Sequence, residues 1–299
     1  MSGNEISEVA KGFTYLECPR WHDGRLWFVD FYTFTVNAVN DDGSIEEIAV
    51  VDQQPAGLGW LPDGRMLIVS MKDRKILRRE TDGSLVEHAD ISAHCSGHAN
   101  DMVVAKNGQA YVGEFGFDLM GGADHEFANV ILVNTDGTSQ VVASGLSFPN
   151  GMVITPGGKT LIINELFGNK ITAFDIEADG TLGNKRDFAN FGEIGAEPNV
   201  AKRIEAATIV PDGLALDAEG AVWIANTVNQ KATRIAEGGK VLEEVNTAPD
   251  GIFAVALGGE DGKTLFLCAA PDWDEGARSK AREGRMLATT VDVPHAGRP

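Results

Sequence analysis

The sequence predicts an all-β protein: a six-bladed β-propeller with four antiparallel strands per blade. Three observations predict it. One pattern, an apolar strand, a tight Gly turn and a second apolar strand, returns six times along the 299 residues. The turn glycines, Gly24, Gly64, Gly108, Gly158, Gly220 and Gly262, are spaced by 40 to 62 residues, a period that with β content selects a propeller. A second, shorter hairpin follows each of the first five copies, as in NDDGSIEEIAV (40–50) and NTDGTSQVVAS (134–144).

The six copies, in order, are ECPRWHDGRLWFVD (17–30), AGLGWLPDGRMLIVS (56–70), NDMVVAKNGQAYVGE (100–114), NGMVITPGGKTLIINE (150–165), DGLALDAEGAVWIAN (212–226) and DGIFAVALGGEDGKTLFLCAA (250–270). Their second strands, such as LWFVD, MLIVS and TLIIN, are short, rich in β-branched and aromatic residues, and preceded by DG, GG, NG or EG turns. Trp21, Trp60 and Trp223 recur at strand positions and read as packing between blades. The sixth unit is completed near REGRMLATTVDV (282–293), and the segment from Ile6 to Phe13 is expected to add its outer strand. Pairing both chain ends closes the ring and removes exposed sheet edges. Residues 1–299 thus form a single domain. Helix signals are weak, with one short turn expected in ARSKAREGR (277–285). Three insertions exceed ordinary strand connections: 115–129, 191–210 and 271–284.

The first strand of a propeller blade lines the axis. The residues that open the six copies are Glu17, Ala56, Asn100, Asn150, Asp212 and Asp250, so five oxygen-bearing side chains converge on one channel mouth. Like charges held there raise each other's pKa, and a hard divalent cation relieves the repulsion. Oxygen ligation favours Ca²⁺, with Mg²⁺, Mn²⁺ or Zn²⁺ as alternatives. Ala56 leaves an open side for water or substrate. The second strands run back to the same face and end at Asp30, Ser70, Glu114, Glu165 and Asn226, where Glu114 and Glu165 are candidate substrate contacts. All three insertions emerge on this face and form a pocket with a lid. Phe148 is expected to form an apolar wall there. His94 and His98 precede Asn100, and Asp124 and His125 lie in the first insertion as candidate substrate contacts.

The formal net charge of -19 opposes nucleic acid and anionic membrane surfaces as partners and leaves a small molecule as the expected partner. Oligomeric state is not encoded in any motif. The three cysteines, Cys18, Cys95 and Cys268, show neither CxxC nor Cys/His zinc spacing. The N-terminal MSGNEISEVAKG has no apolar core of a signal peptide, and no stretch reaches the roughly 18 apolar residues of a membrane span, so a cytoplasmic location is expected. Serine-nucleophile chemistry is disfavoured, because G-x-S-x-G is absent and Ser96 in HCSGH lacks a strand–turn–helix setting.

FTYLECPRWHDGRLWFVD, ANDMVVAKNG, FPNGMVITPGGKTLIINE, PDGLALDAEGAVWIAN and the terminal AGRP together resemble the senescence-marker-protein/gluconolactonase/luciferin-regenerating family, with the motifs in order over nearly the whole chain. The resemblance implies a six-bladed propeller with one catalytic divalent metal on its axis, hydrolysing a sugar lactone or related cyclic ester. By motif, Glu17, Asn150 and Asp212 would be metal ligands, and Asn100 would bind substrate. Some sugar lactonases of the family carry an Arg just upstream of the N-D pair; here His98 stands in that place and joins the substrate-binding candidates. The mechanism expected is metal-assisted hydrolysis with Asp212 as general base, or attack by a carboxylate nucleophile. The alternatives are hydrolysis of another ester, enol lactone or phosphotriester on the same metal, and a binding propeller in which a metal only pins the blades.

Overall fold

The computed structural model describes residues 5–297. The chain opens with β1 (Ser7–Phe13), which waits for its blade until the end of the sequence. Blade 1 is β2 (Leu16–His22), β3 (Arg25–Asp30), β4 (Thr35–Val39) and β5 (Ile45–Val50). Blade 2 is β6 (Pro55–Trp60), β7 (Met66–Ser70), β8 (Lys75–Arg79) and β9 (Leu85–Asp90). Blade 3 is β10 (Ala99–Val104), β11 (Ala110–Glu114), β12 (Ala128–Val133) and β13 (Ser139–Leu146). Blade 4 is β14 (Pro149–Ile154), β15 (Thr160–Glu165), β16 (Lys170–Ile176) and β17 (Leu182–Asn190). Blade 5 is β18 (Pro211–Leu216), β19 (Val222–Asn226), β20 (Lys231–Ile235) and β21 (Val241–Asn246). Blade 6 is β22 (Gly251–Gly258), β23 (Thr264–Ala270) and β24 (Gly284–Thr290), and β1 supplies its fourth strand antiparallel to β24. This is the six-bladed, N-to-C-closed propeller expected from the repeat.

Neighbouring blades pack through alternate faces of the same strands, as a side-chain period of two requires. Leu26 and Phe28 of β3 face blade 6 and meet Ala254, Phe266 and Met286, whereas Val29 faces blade 2 with Leu58 and Ile68. Val222 and Ile224 face blade 4, and Trp223 between them faces blade 6 against Val255 and Leu267. Trp223 is fully buried, Trp21 stacks on Phe266 with ring centroids 5.7 Å apart, and Trp60 stacks on His22 at 3.9 Å.

Two short helices sit in the insertions. α1 (Val200–Ala206) is capped by Asn199, whose side chain accepts from the Lys202 N–H. It departs from the expectation that only 277–285 would turn helical. The other, α2 (Glu275–Arg278), starts earlier than that expectation because Asp274 caps it by accepting from the Ala277 N–H. Among the described residues no helix is long and apolar enough to cross a membrane, and the three cysteines are free.

Candidate functional site

Each innermost strand carries a bulge near its start. In blade 5, Pro211 pairs with Asn226 and Leu214 with Ile224, so Asp212 and Gly213 together oppose one residue. Blades 2, 3 and 4 repeat this register around Ala56–Gly57, Asn100–Asp101 and Asn150–Gly151. A bulge bends the strand and re-aims a side chain, here toward the axis. The glycine that follows has a separate purpose. A Cβ on Gly151 would lie 2.5 Å from the Leu214 backbone nitrogen, and one on Gly213 would lie 2.6 Å from Ala254 Cα. The N-G and D-G pairs therefore let adjacent inner strands approach at the channel mouth rather than make a turn.

Asn100, Asn150 and Asp212 from their bulges, and Glu17 from the position just before the bulge of blade 1, reach the floor of a cavity of about 350 Å³. His98 and Phe148 also line it, as the sequence led one to expect. All three insertions contribute wall: Phe115, Leu119 and Met120 from the first, Ile204 and Val210 from the second, Trp273 and Glu275 from the third. The floor residues are almost wholly buried. Glu17 Oε2 accepts from the Cys18 N–H at 3.1 Å, and the Asn164 side chain holds the Asp212 carbonyl at 2.7 Å. The neighbouring Asn150 side chain acts to lower the Asp212 pKa. The Asn100 Nδ2 group is buried without a hydrogen-bond partner among the described residues.

Burial first, and then mutual repulsion, push both carboxyls well above the usual range. For Glu17 the neighbouring charge is chiefly Asp212; for Asp212 it is Asp101. Burial and the same two carboxylates hold the Tyr15 phenol protonated beside them. Arg20 lies under the ring but closes its charge on Asp101 at 2.5 Å, and it also donates to the Met102 carbonyl at 3.0 Å. Glu17 and Asp212 thus form no ion pair with a cation among the described residues. No group of three His, Cys, Asp or Glu side chains gathers for a metal among those residues. What the floor offers instead is a mixed set, two carboxylates and two amide side chains, all carrying oxygen. That set fits a hard divalent cation and would not suit a soft one.

The structure places three residues that the sequence put at the channel mouth outside the cavity lining. Glu114 is fully buried beneath the loops, and its carboxylate accepts the N–H groups of Gly97, Gly116 and Asn129 at 2.7–2.9 Å. Glu165 likewise accepts from the Ser147 N–H at 2.7 Å and the Thr172 hydroxyl at 2.5 Å. Neither lines the cavity. Asp30 takes the Thr14 and Tyr15 N–H groups, and Asn226 takes that of Val210. The polar residues that close four of the second strands therefore tie down the loop entering the inner strand. Asp250 is the third departure: it precedes β22 and pairs with Arg285. In blade 6 the bulge falls at Phe253, between the pairs Ile252–Ala269 and Ala254–Cys268, so an aromatic ring stands near the position where blades 1, 3, 4 and 5 carry polar groups.

Of the minor candidates, His94 lies in a short 3-10 turn away from the cavity, where its carbonyl accepts from Asn129 at 3.0 Å. Asp124 is exposed. His125 packs behind the wall, with Nε2 2.7 Å from the Ser147 hydroxyl. Tyr15, Gln54, Lys72 and Phe253 line the cavity without having been singled out by sequence. Gln54 could have been found, because like Phe148 it precedes the Pro that opens an inner strand. Both take left-handed backbone angles, φ 70° and 60°.

The fold and floor define a class: a six-bladed propeller with a buried carboxylate–amide ring at the mouth of its channel. Residues 16–271 match the SMP-30/Gluconolactonase/LRE-like region, and the chain belongs to that family. It is 25% identical to pentonolactonase XacC of Haloferax volcanii over 95% of this chain and 92% of that one. It is 24% identical to a 6-deoxy-6-sulfogluconolactonase of Pseudomonas putida over 95% and 93% of the two chains. The structure of a calcium-binding protein, regucalcin, from Agrobacterium tumefaciens superposes with a TM-score of 0.80 at 18% identity, covering 99% of this chain and 97% of the other.

Proposed function

We propose that this protein is a lactonase that opens a cyclic ester by hydrolysis at the ring floor, with one divalent cation held by Glu17, Asn150 and Asp212. The observation that carries the reading is the pair of buried carboxyls, Glu17 and Asp212, raised by burial and by neighbouring carboxylates and without an ion-pairing cation of their own. The lactonase names of the two sequence relatives support the reaction class. Ca²⁺ is favoured for the oxygen donor set, and the calcium-binding description of the regucalcin structure agrees with that choice. The cation, when bound, supplies polarisation of the ester carbonyl and charge balance for the oxyanion.

The remaining chemistry belongs to the chain. Asp212 accepts the proton of the attacking water at its carboxylate and returns it to the ring oxygen as the acyl C–O bond breaks, with the Asn150 side chain beside that carboxylate. Asn164 holds the backbone of Asp212 from behind. The Asn100 Nδ2 group, lacking any partner among the described residues, donates to the substrate's carbonyl oxygen as charge develops there. The aromatic walls exclude bulk water, which strengthens each of these interactions. A cytoplasmic location is part of the same reading and suits three free thiols.

The test is a set of variants assayed on a panel of lactones by pH-stat, with bound metal measured by mass spectrometry. Asp212→Asn and Glu17→Gln should lose bound metal, and Asp212→Asn should lower kcat by about 10²–10⁴-fold. Asn100→Ala should retain metal and lose about 10²-fold in kcat. Full activity in Asp212→Asn would overturn the proposal.

A further inference from the structure

Above the polar floor the cavity wall is mostly hydrocarbon and aromatic, and Phe148 is part of it. Its ring lies 4.4 Å from that of Phe115 and 5.2 Å from that of Phe167. Across the floor, Tyr15 packs on Phe253 at 5.0 Å and on Phe31 at 5.7 Å. All six rings line the cavity. Phe148 holds a left-handed backbone at φ 60°, a conformation disfavoured for a bulky residue, and it does so with its ring on the cavity wall. Phe253 displaces the polar ring position in blade 6. Leu166 and Val210 continue the apolar surface, and the exposed Trp273 and Met120 carry it to the rim.

A polyhydroxylated ring in such a space would press most of its hydroxyls against carbon. Each buried hydroxyl without a partner opposes binding, whereas each buried methylene favours it. Sites discriminate most sharply through the polar groups they leave unpaired. The polar side chains that line the cavity beyond the floor and the two tyrosines are Gln54, Lys72, His98, Thr227 and Glu275, and its hydrocarbon and aromatic side chains outnumber them.

We infer that the substrate is a lactone bearing an alkyl or aryl substituent, bound with its ester on the ring floor and its apolar group among Phe115, Phe148 and Phe167, rather than a sugar lactone. This rests on the lactonase reading given above. It extends that reading from reaction to substrate class.

The experiment compares three substrates with the intact, metal-loaded protein: γ-nonalactone, the bare ring γ-butyrolactone, and D-glucono-1,5-lactone. We expect kcat/KM for γ-nonalactone to exceed that for each of the other two by at least tenfold. Phe148→Ala should shrink the ratio of γ-nonalactone to γ-butyrolactone several-fold, and a ratio is insensitive to the fraction of protein folded. Calorimetric binding of the hydrolysis-inert lactam carrying the same pentyl chain should be at least tenfold tighter than binding of 2-pyrrolidinone. Turnover of the sugar lactone at or above that of γ-nonalactone would overturn the inference and leave the lactonase reading standing. No turnover of any lactone, with tight binding of the pentyl lactam, would overturn the lactonase reading while supporting the apolar pocket. Equal binding of the two lactams would overturn the apolar pocket whatever the activity.

Discussion

Asn100 and Asn150 open equivalent strands, yet their amides have different occupations. The Asn150 side chain acts to lower the Asp212 pKa, whereas the Asn100 nitrogen is buried without a partner. A buried donor without a partner is costly to maintain, and this one lies on a residue that lines the cavity, which is why the proposed reading gives it to the substrate. Glu114 teaches the opposite lesson. Its position at a strand end next to the ring suggests a substrate contact, but its oxygens hold three backbone N–H groups. Charged hydrogen bonds of this kind are worth roughly 1.5–3 kcal/mol each. Glu114→Gln should therefore lower unfolding free energy by about 3 kcal/mol in urea titrations while KM of the folded enzyme is unchanged. A raised KM with stability intact would put Glu114 back at the substrate. Sequence alone could not separate the two cases, since the strand end does not reveal whether a long side chain turns outward to the pocket or inward to the loop.

At the scale of elements, the strands were legible because β-branched runs follow Gly turns, and four ring positions were legible because each opens a copy of the same repeat. Blade 6 misled the alignment. PDG recurs at Asp250, but the bulge shifts to Phe253, and only the strand register exposes the slip. The helix of the second insertion was missed because seven residues carry too little amphipathic pattern to stand out, although Asn199 is a cap signal. That insertion and the first lock together behind the cavity wall. His125 donates its backbone N–H to the Pro198 carbonyl at 2.7 Å, its ring meets Ser147, and Arg203 of α1 reaches the Phe167 carbonyl at 3.1 Å. Burial, and then the Arg203 charge, lower the His125 pKa from 6.5 to about 4. The unfolded chain then binds more protons than the folded one between those values. The contribution of His125 is complete above pH 6.5 and is lost as pH falls toward 4. The melting temperature of the wild type should fall more between pH 7 and pH 5 than that of His125→Gln, as read by scanning calorimetry. An identical fall in both would show that the lock does not titrate.

For the whole molecule, closure is the feature on which the rest depends. Blade 6 is completed only by β1, which pairs along β24 from Ser7 with Ala288 to Phe13 with Gly284. Val9, Ala10 and Phe13 also cover the apolar cluster between blades 6 and 1. Deleting residues 1–13 should bare a sheet edge and that cluster, and gel filtration should then show aggregation. An unchanged elution volume and melting temperature would show that the ring holds without the strap. A closed ring keeps the six inner strands in register, which is what brings side chains from distant parts of the sequence to one floor. Apart from Phe148, the aromatic wall was the least legible part, because it comes from non-repeating loops and from Phe253 at a shifted bulge. The central claim is that Glu17, Asn150 and Asp212 hold a cation on which ester opening depends. Its most direct test is lactone hydrolysis by pH-stat before chelation, after exhaustive chelation, and after adding back Ca²⁺, Mg²⁺, Mn²⁺ or Zn²⁺. Activity should vanish with the metal and return with at least one of these ions; undiminished hydrolysis by metal-free protein would contradict the account.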